Sequence, residues 1–508
     1  MKHPYNRVLA AMLAAALLLA GCAGNANNGS SLPEFQESSQ AAEDSAAPGV
    51  LKAAYDESDA LNPYTTKSLQ NYVLCSLLYD PLVKLDPSYQ TQNYLAQGIE
   101  KNGLEYTVQL RPNIKFWDGS ALTAADVAYS LSLAMQSGYY AAGLSHVESV
   151  TEDPDDPLVL HLVLSREDAF FENSLTFPVI QNGGGDRSRP VGSGRFRPGA
   201  GSHTLVPNPG HWEQVENFSS IELVEVADID ALSYSIKIGT IDYMFSDLRG
   251  SWNKSLGNGY SSVQLSNLVY LGANNGRGLM VNAELRSLLS DAIDREALGD
   301  KVYMGFATPA RLPFNPAASA VPYLTPSPGK GSPGERLDAL GYAGRDENGY
   351  RTDTYGRRMT LSILVNSENS YRMELARVIA QTCEALGIQV TLDERPFSEY
   401  QQVLLDGGYD LYIAEVKLPY NMDMQSIIGN ATLASSGIYV GEELRSALET
   451  CLATGEGFET AAELFEGQTP FIPLFYRRGI VAYALNFSSN IVATEQDIFY
   501  NIHQWKLS

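Results

Sequence analysis

Residues suited to covalent or metal chemistry are few in this sequence. Its 508 residues include four cysteines and six histidines, and none falls into a metal-binding spacing: there is no HExxH, no His-x-His and no CxxC. His146, His161, His203, His211 and His503 are scattered. "VGSGRF" sets Ser193 between glycines without the GxSxG frame of a hydrolase elbow. "SPGKGS" lacks the first glycine of a phosphate loop, and "GGGDRS" and "GNGYSS" lack the strand before and the helix after that a dinucleotide site requires. No metal, no cofactor and no catalysis are therefore expected. Positive charge is scarce as well: 35 Lys plus Arg stand against 59 Asp plus Glu, a net charge of -24, with no basic run to offset it. Such a field repels phosphate backbones, so nucleic acid is not expected as a partner.

Long apolar runs are missing too, apart from one at the start. Lys2 and Arg7 precede "VLAAMLAAALLLA", which is too short to cross a bilayer comfortably, and small residues then lead into "LAGC" at Leu19–Cys22. Residues 1–21 read as a secretory signal. The Leu-Ala-Gly-Cys ending resembles the lipobox of bacterial lipoproteins, which implies cleavage before Cys22 and a diacylglycerol on its sulfur. Residues 22–49 then hold only Leu32 and Phe35 as large apolar residues, too little to offset ordering entropy, so a disordered tether is expected. As a flexible coil its reach is roughly 25 to 30 Å. Three cysteines remain, Cys75, Cys383 and Cys451, each in a helix-like apolar pattern that suits a buried thiol; one bridge among them stays open.

What the sequence does contain is aromatic and periodic: 29 Tyr, 17 Phe and 4 Trp. The densest local cluster, Arg111, Lys115, Trp117, Asp118 and Asp126, has a structural reading at almost every position. "YTVQL" alternates as a strand, Asp118-Gly119 forms a tight turn, and Thr123 with Asp126 makes a capping box for a helix carrying Val127, Leu131 and Met135. "TEDPDDPLVLHLVL" reads as an acidic turn feeding a strand. From Thr360, "TLSILV", a helix with Ala376, Ile379, Cys383 and Leu386 closed by Gly387, "IQVTL", a helix from Ser398 ended by Gly407-Gly408, and "DLYIAEV" succeed one another. Strand and helix in this alternation predict a parallel sheet with right-handed crossovers, an α/β lobe. A large chain with aromatic walls and no reactive set suits binding better than turnover.

These residues resemble the extracellular solute-binding proteins, family 5, of peptide and nickel ABC importers. The strongest match is "YTVQLRPNIKFWDGSALTAADVAYSL"; "ALNPY" and "LLYDPLVKLD" precede it, and "PVGSGRFRP", "LVPNPGHW", "GTIDYMF", "LRSLLSDAIDREAL", "EALGIQVTL" and "TPFIPLFYRRG" follow in the family's order. The resemblance implies an α/β, two-lobed periplasmic-binding-protein-like fold with a discontinuous first lobe and a hinge-closing cleft. Its parts would be 50–76, 186–272 and 478–508 for the core of lobe I, 77–185 for a lobe I subdomain and 273–477 for lobe II. The crossings are expected near Asn274 and Arg477. The family's ammonium-binding Asp maps to Asp423, which reads equally as a cap for a helix starting at Met424. "SSGIY" nominates Tyr439, the hinge Asn is Asn274, and Tyr64 follows the "LNP" that opens near the cleft, where packing serves as well. Ala414-Glu415-Val416 stands where many relatives have an aromatic-Trp pair, so Glu415 enters the expected ligand-binding set with Asp423, Asn274, Tyr439 and Tyr64.

The resemblance implies a monomeric, lipid-anchored receptor that passes a peptide or other small molecule to an ABC permease and its ATPase. Its location would be the outer face of the cytoplasmic membrane, or the periplasm if the host has an outer membrane. A nickel or metal-chelate receptor is the alternative cargo reading, since a metal can arrive already chelated. A ligand-sensing signalling lipoprotein of the same fold is the other.

Overall fold

The computed structural model describes residues 48–506 apart from 227, 249–258, 328, 330, 430, 431 and 488. The signal segment, Cys22 and the tether up to residue 47 lie outside the described residues. Among those described, no helix is long and apolar enough to cross a membrane.

One large mixed sheet organises the body. Its strands are β1 (Gly49–Tyr55), β6 (Phe196–Pro198), β7 (Thr204–Pro207), β8 (Phe218–Glu225), β9 (Tyr243–Ser246), β10 (Gly259–Ala273), β11 (Thr360–Asn366), β12 (Gln389–Arg395), β13 (Leu411–Lys417) and β14 (Phe471–Tyr483). They run in the order β12-β11-β13-β10-β14-β9-β1-β8-β7-β6, with Ala307–Pro309 added beside β14. The intervening numbers, β2 (Ala96–Asn102), β3 (Glu105–Leu110), β4 (Val147–Glu152) and β5 (Val159–Leu164), form a separate antiparallel sheet ordered β2-β3-β5-β4.

Two ends of the large sheet carry separate cores. At one end β1 pairs in parallel with β8 and β9, and the helix Leu69–Leu78 covers them with Leu74 and Leu77. The C-terminal residues Ile498, Phe499 and Trp505 return to this core, which makes the first lobe discontinuous. At the other end β11 pairs in parallel with β12 and β13. The helix Ser370–Ala385 packs Ala376, Ile379 and Cys383 on that sheet, a spacing that places them on one stripe. Gly387 follows it with φ +85°, and the ideal Cβ of any other residue would lie 2.6 Å from Arg345 Nη1. Burying each Leu or Ile of these cores contributes about 1.5–3 kcal/mol before chain entropy is set against it.

The small sheet has its own core. Tyr106, Val108 and Leu110 of β3 and Leu160, Leu162 and Leu164 of β5 point inward against Val127 and Leu131 of the helix Ala124–Ala134. The charged cluster beside it is scaffolding. Asp118 Oδ1 accepts the Ser120 N–H at 2.9 Å in a turn where Gly119 has φ +91°, and Asp126 Oδ2 accepts the Thr123 N–H at 2.9 Å as the capping box requires. In the acidic turn, Asp153 Oδ1 accepts the N–H groups of Asp155 and Asp156.

Cys75, Cys383 and Cys451 are free thiols buried in helices. Burial pushes the thiol of Cys383 up to about 12 and that of Cys451 up to about 11, so neither is a thiolate at neutral pH.

Candidate functional site

Two long strands join the lobes. β10 and β14 pair antiparallel along nearly their whole length, Gly259↔Tyr483 to Gly272↔Phe471, with a register break between Gln264 and Leu268. On one side of the break β14 is flanked by β9 through Tyr243–Ser246, and on the other β10 is flanked by β13 from Asn267 onward. The chain therefore crosses between lobes at the break. On β14 the break lies opposite Tyr476–Arg478, and on β10 it spans Gln264–Leu268, earlier in the chain than Asn274.

Two cavities border this crossing and two more adjoin them. One of about 220 Å³ is bordered by Ser262, Gln264 and Arg478 of the crossing strands and by Glu495 and Gln496 of the C-terminal return. Three smaller ones, of about 70, 30 and 20 Å³, share Tyr140, Tyr420, Thr494 or Gln496 with it or with each other. Each has at least one tyrosine in its wall: Tyr72 stacks on Tyr139 with ring centroids 4.3 Å apart, and Tyr89 faces Tyr420 at 6.2 Å. Between them Lys417 Nζ reaches Glu495 Oε1 at 3.0 Å, joining β13 of lobe II to the C-terminal return of lobe I, while Glu495 Oε2 accepts the Ser266 N–H at 2.9 Å. Desolvation among these rings disfavours the Lys417 charge, but the Glu495 carboxylate outweighs it and holds the ammonium above its ordinary range.

A second set of contacts ties the small-sheet region to lobe II. Asp423 Oδ2 takes Arg166 Nη2 at 3.0 Å and His146 Nε2 at 3.1 Å; His146 Nδ1 lies 3.5 Å from Asp168 Oδ2, which accepts Asn421 Nδ2 at 2.7 Å. Hydrogen bonding to Asp168 and then to Asp423 raises His146 to about 9, against burial and the Arg166 charge. Burial alone would raise Asp423, yet the His146 contact, the Gln425 N–H and Arg166 hold its carboxyl below the usual range.

Two cored lobes on a pair of shared strands, enclosing small cavities between them, form a geometry found in known proteins. A model described as bacterial extracellular solute-binding proteins, family 5 Middle, matches residues 90–433. The chain belongs to the bacterial extracellular solute-binding proteins of family 5. Among curated relatives, the oligopeptide-binding protein AppA of Bacillus subtilis is 24% identical over 417 residues, covering 75% of each chain. The glutathione-binding protein GsiB of Salmonella typhimurium is 25% identical over 289 residues, covering 52% of this chain and 56% of that one. Among solved structures, AppA in complex with a nonapeptide superposes with a TM-score of 0.64 at 20% identity, covering 91% of this chain and 99% of that one. NikZ from Campylobacter jejuni in complex with Ni(L-His) gives 0.65 at 16% identity, covering 90% and 99%.

Within this family 5 fold the five nominated residues separate into four places. Asp423 lies on the seam, with Oδ2 committed as above and Oδ1 accepting the Gln425 N–H at 2.9 Å ahead of the short helix Gln425–Ile428. Glu415 lies beside the crossing and is held from several sides: Arg477 Nη1 at 2.8 Å, Asn267 Nδ2 at 2.7 Å and Arg372 Nη2 at 3.7 Å. Burial would raise its pKa, but the two arginines hold it below the usual range. Tyr64 stands one layer behind the cavities, donating its hydroxyl to the Pro178 carbonyl and meeting Tyr140 edge-on at 6.1 Å.

Asn274 and Tyr439 sit together elsewhere, at the end of β10 remote from the break, roughly 20 Å along the strand at about 3.3 Å per residue. There Asn274 Nδ2 donates to the Gly407 carbonyl at 3.1 Å, Asn275 Nδ2 donates to the Tyr439 carbonyl at 3.3 Å, and the Tyr439 side chain is exposed. Sequence reasoning did not single out Tyr72, Tyr89, Tyr139, Tyr140, Tyr420, Lys417, Glu495 or Arg478. The adjacent pair in "SGYYAAG" was one available signal, since two tyrosines there follow no helix or strand period.

Proposed function

We infer that this chain is the solute receptor of an ABC importer, anchored by a lipid on Cys22, which captures a peptide-like solute between its lobes and delivers it to a membrane permease and ATPase. The observation that carries the reading is the group of adjoining cavities at and beside the crossing of β10 and β14, each with tyrosine in its wall. Aromatic faces accept varied side chains, and a few polar groups orient the guest, which suits capture and release without chemistry. Closure about two strands that bend at their register break would trap the guest, and lobe opening at the permease would free it. The peptide class draws on family membership and on the peptides named for its relatives; the lipid on Cys22 draws on the lipobox-like "LAGC".

The test is a thermal-shift screen of the full chain against free peptides and nickel–histidine, followed by small-angle scattering. A solute at about 100 times its dissociation constant should add roughly 2.7 kcal/mol of stability and lower the radius of gyration. Peptides recovered as hydrolysed products, or a scattering profile unchanged by every solute that shifts the melting temperature, would overturn the reading. Cys22→Ser should move the protein from the detergent phase to the aqueous phase in detergent partitioning.

A further inference from the structure

Arg477 and Arg478 are neighbours on β14, and their side chains leave opposite faces of the strand. Arg477 is committed: its guanidinium meets Glu415 at 2.8 Å and the Asp247 carbonyl. Arg478 instead borders the cavity of about 220 Å³, together with Ser262 and its cross-strand partner Gln264. Its Nε–H is buried without an acceptor, and among the described residues its side chain has no ion pair.

The same cavity holds further orphaned polar atoms. Ser262 Oγ and Gln496 Oε1 are buried without hydrogen-bond partners, and Ser266 Oγ is a third in the adjoining cavity. Leaving such groups unsatisfied is costly, so a cluster of them around one void marks a place that a polar guest fills. Other charged groups lie nearby. Lys417 is neutralised by Glu495, and Asp86, which also borders the void, has Oδ1 accepting the Ser88 and Gln90 N–H groups of its own turn.

We propose that Arg478, with Ser262, is a carboxylate-binding subsite of the cleft, so that the solute lies with its free carboxylate toward the crossing strands and its body against the tyrosines. This rests on the solute-receptor reading and adds the chemistry of one end of the solute. A guanidinium presents parallel N–H donors that match the two oxygens of a carboxylate, and the Ser262 hydroxyl supplies a further donor. Gln496 Oε1, on the same void, is a free acceptor for an N–H of the solute.

The experiment is calorimetric titration of the full chain with a mixed tripeptide pool in three forms: free ends, C-terminal amide and N-acetyl. Nickel(II) with histidine against nickel(II) with histidinamide reads a chelate solute by the same criterion. The free and N-acetyl forms should bind alike, and the amide should be weaker by roughly tenfold to a hundredfold, the loss of a charged hydrogen-bond pair. Arg478→Gln should abolish the difference between acid and amide, Arg478→Lys should restore part of it, and Ser262→Ala should reduce it while keeping the unliganded melting temperature. Equal binding of acid and amide to the unaltered protein, or a preference that survives Arg478→Gln, overturns the subsite and leaves the receptor reading standing. No binding by any of these probes overturns both.

Discussion

Asp423 serves two elements with its two oxygens, one toward the Gln425 N–H and one toward Arg166 and His146. An incoming ammonium would have to displace one of those cations, so the geometry favours a role in closing the seam. Asp423→Asn should lower the stability of the unliganded protein by roughly 1–3 kcal/mol, because a buried charged contact is lost, while leaving the peptide-induced shift nearly intact. The reverse pattern in a thermal-shift assay, normal stability and no peptide response, would identify Asp423 as the anchor. His146 makes the same seam sensitive to pH. Its pKa is raised to about 9 from an ordinary 6.5 by its contacts with Asp168 and Asp423. A group raised in the folded state contributes stability that is fully present below its unfolded value and lost as pH rises through the folded one. Urea midpoints should therefore fall between about pH 6.5 and 9, and His146→Gln should flatten that segment. A wild-type profile as flat as the variant's would remove His146 from the account.

At the scale of strands and helices much of the molecule was legible. The alternation from Thr360 to Val416 predicts β11, β12 and β13 and the helices between them, because apolar period and glycine stops are local signals. The Thr123–Asp126 box is equally local. The site was less legible because its parts come from distant segments: Tyr72, Tyr140, Lys417 and Glu495 meet only through the fold, and no spacing in the sequence encodes that meeting. Asn274, a motif position, lies apart from these residues, its side chain donating to the Gly407 carbonyl at the end of its strand remote from the break. β10 also carries a close approach that composition does not reveal. A Cβ on Gly272 would lie 2.1 Å from Tyr412 Cζ, and that ring is buried with its hydroxyl on the Ala434 carbonyl at 3.0 Å. Gly272→Ala should destabilise the protein by about 1–3 kcal/mol through overpacking, read as a lower urea midpoint at constant slope. An unchanged midpoint would mean that the Tyr412 ring can move aside.

For the whole molecule the question is what sets the balance between open and closed lobes. The sheet is continuous through the crossing, with its pairing interrupted between Gln264 and Leu268 and again between Val269 and Tyr270, so bending is expected there, and contacts across the cleft decide how far the lobes approach. Lys417 with Glu495 is such a contact, and Glu495 also receives the Ser266 N–H beside the break, which couples the ion pair to the bending point itself. Glu495→Gln leaves shape nearly constant but removes the charge that holds the Lys417 ammonium among tyrosines. The closed state should then lose roughly 1–2 kcal/mol, a factor of about 5–30 in its population relative to the open one. Solute affinity should drop by the same factor to the extent that only the closed form binds tightly. Scattering gives the independent reading: the unliganded variant should be more extended than the unaltered protein, and the two should converge when saturated with solute. If the variant bound less solute while its unliganded profile stayed identical, Glu495 would be touching the solute directly instead of governing closure.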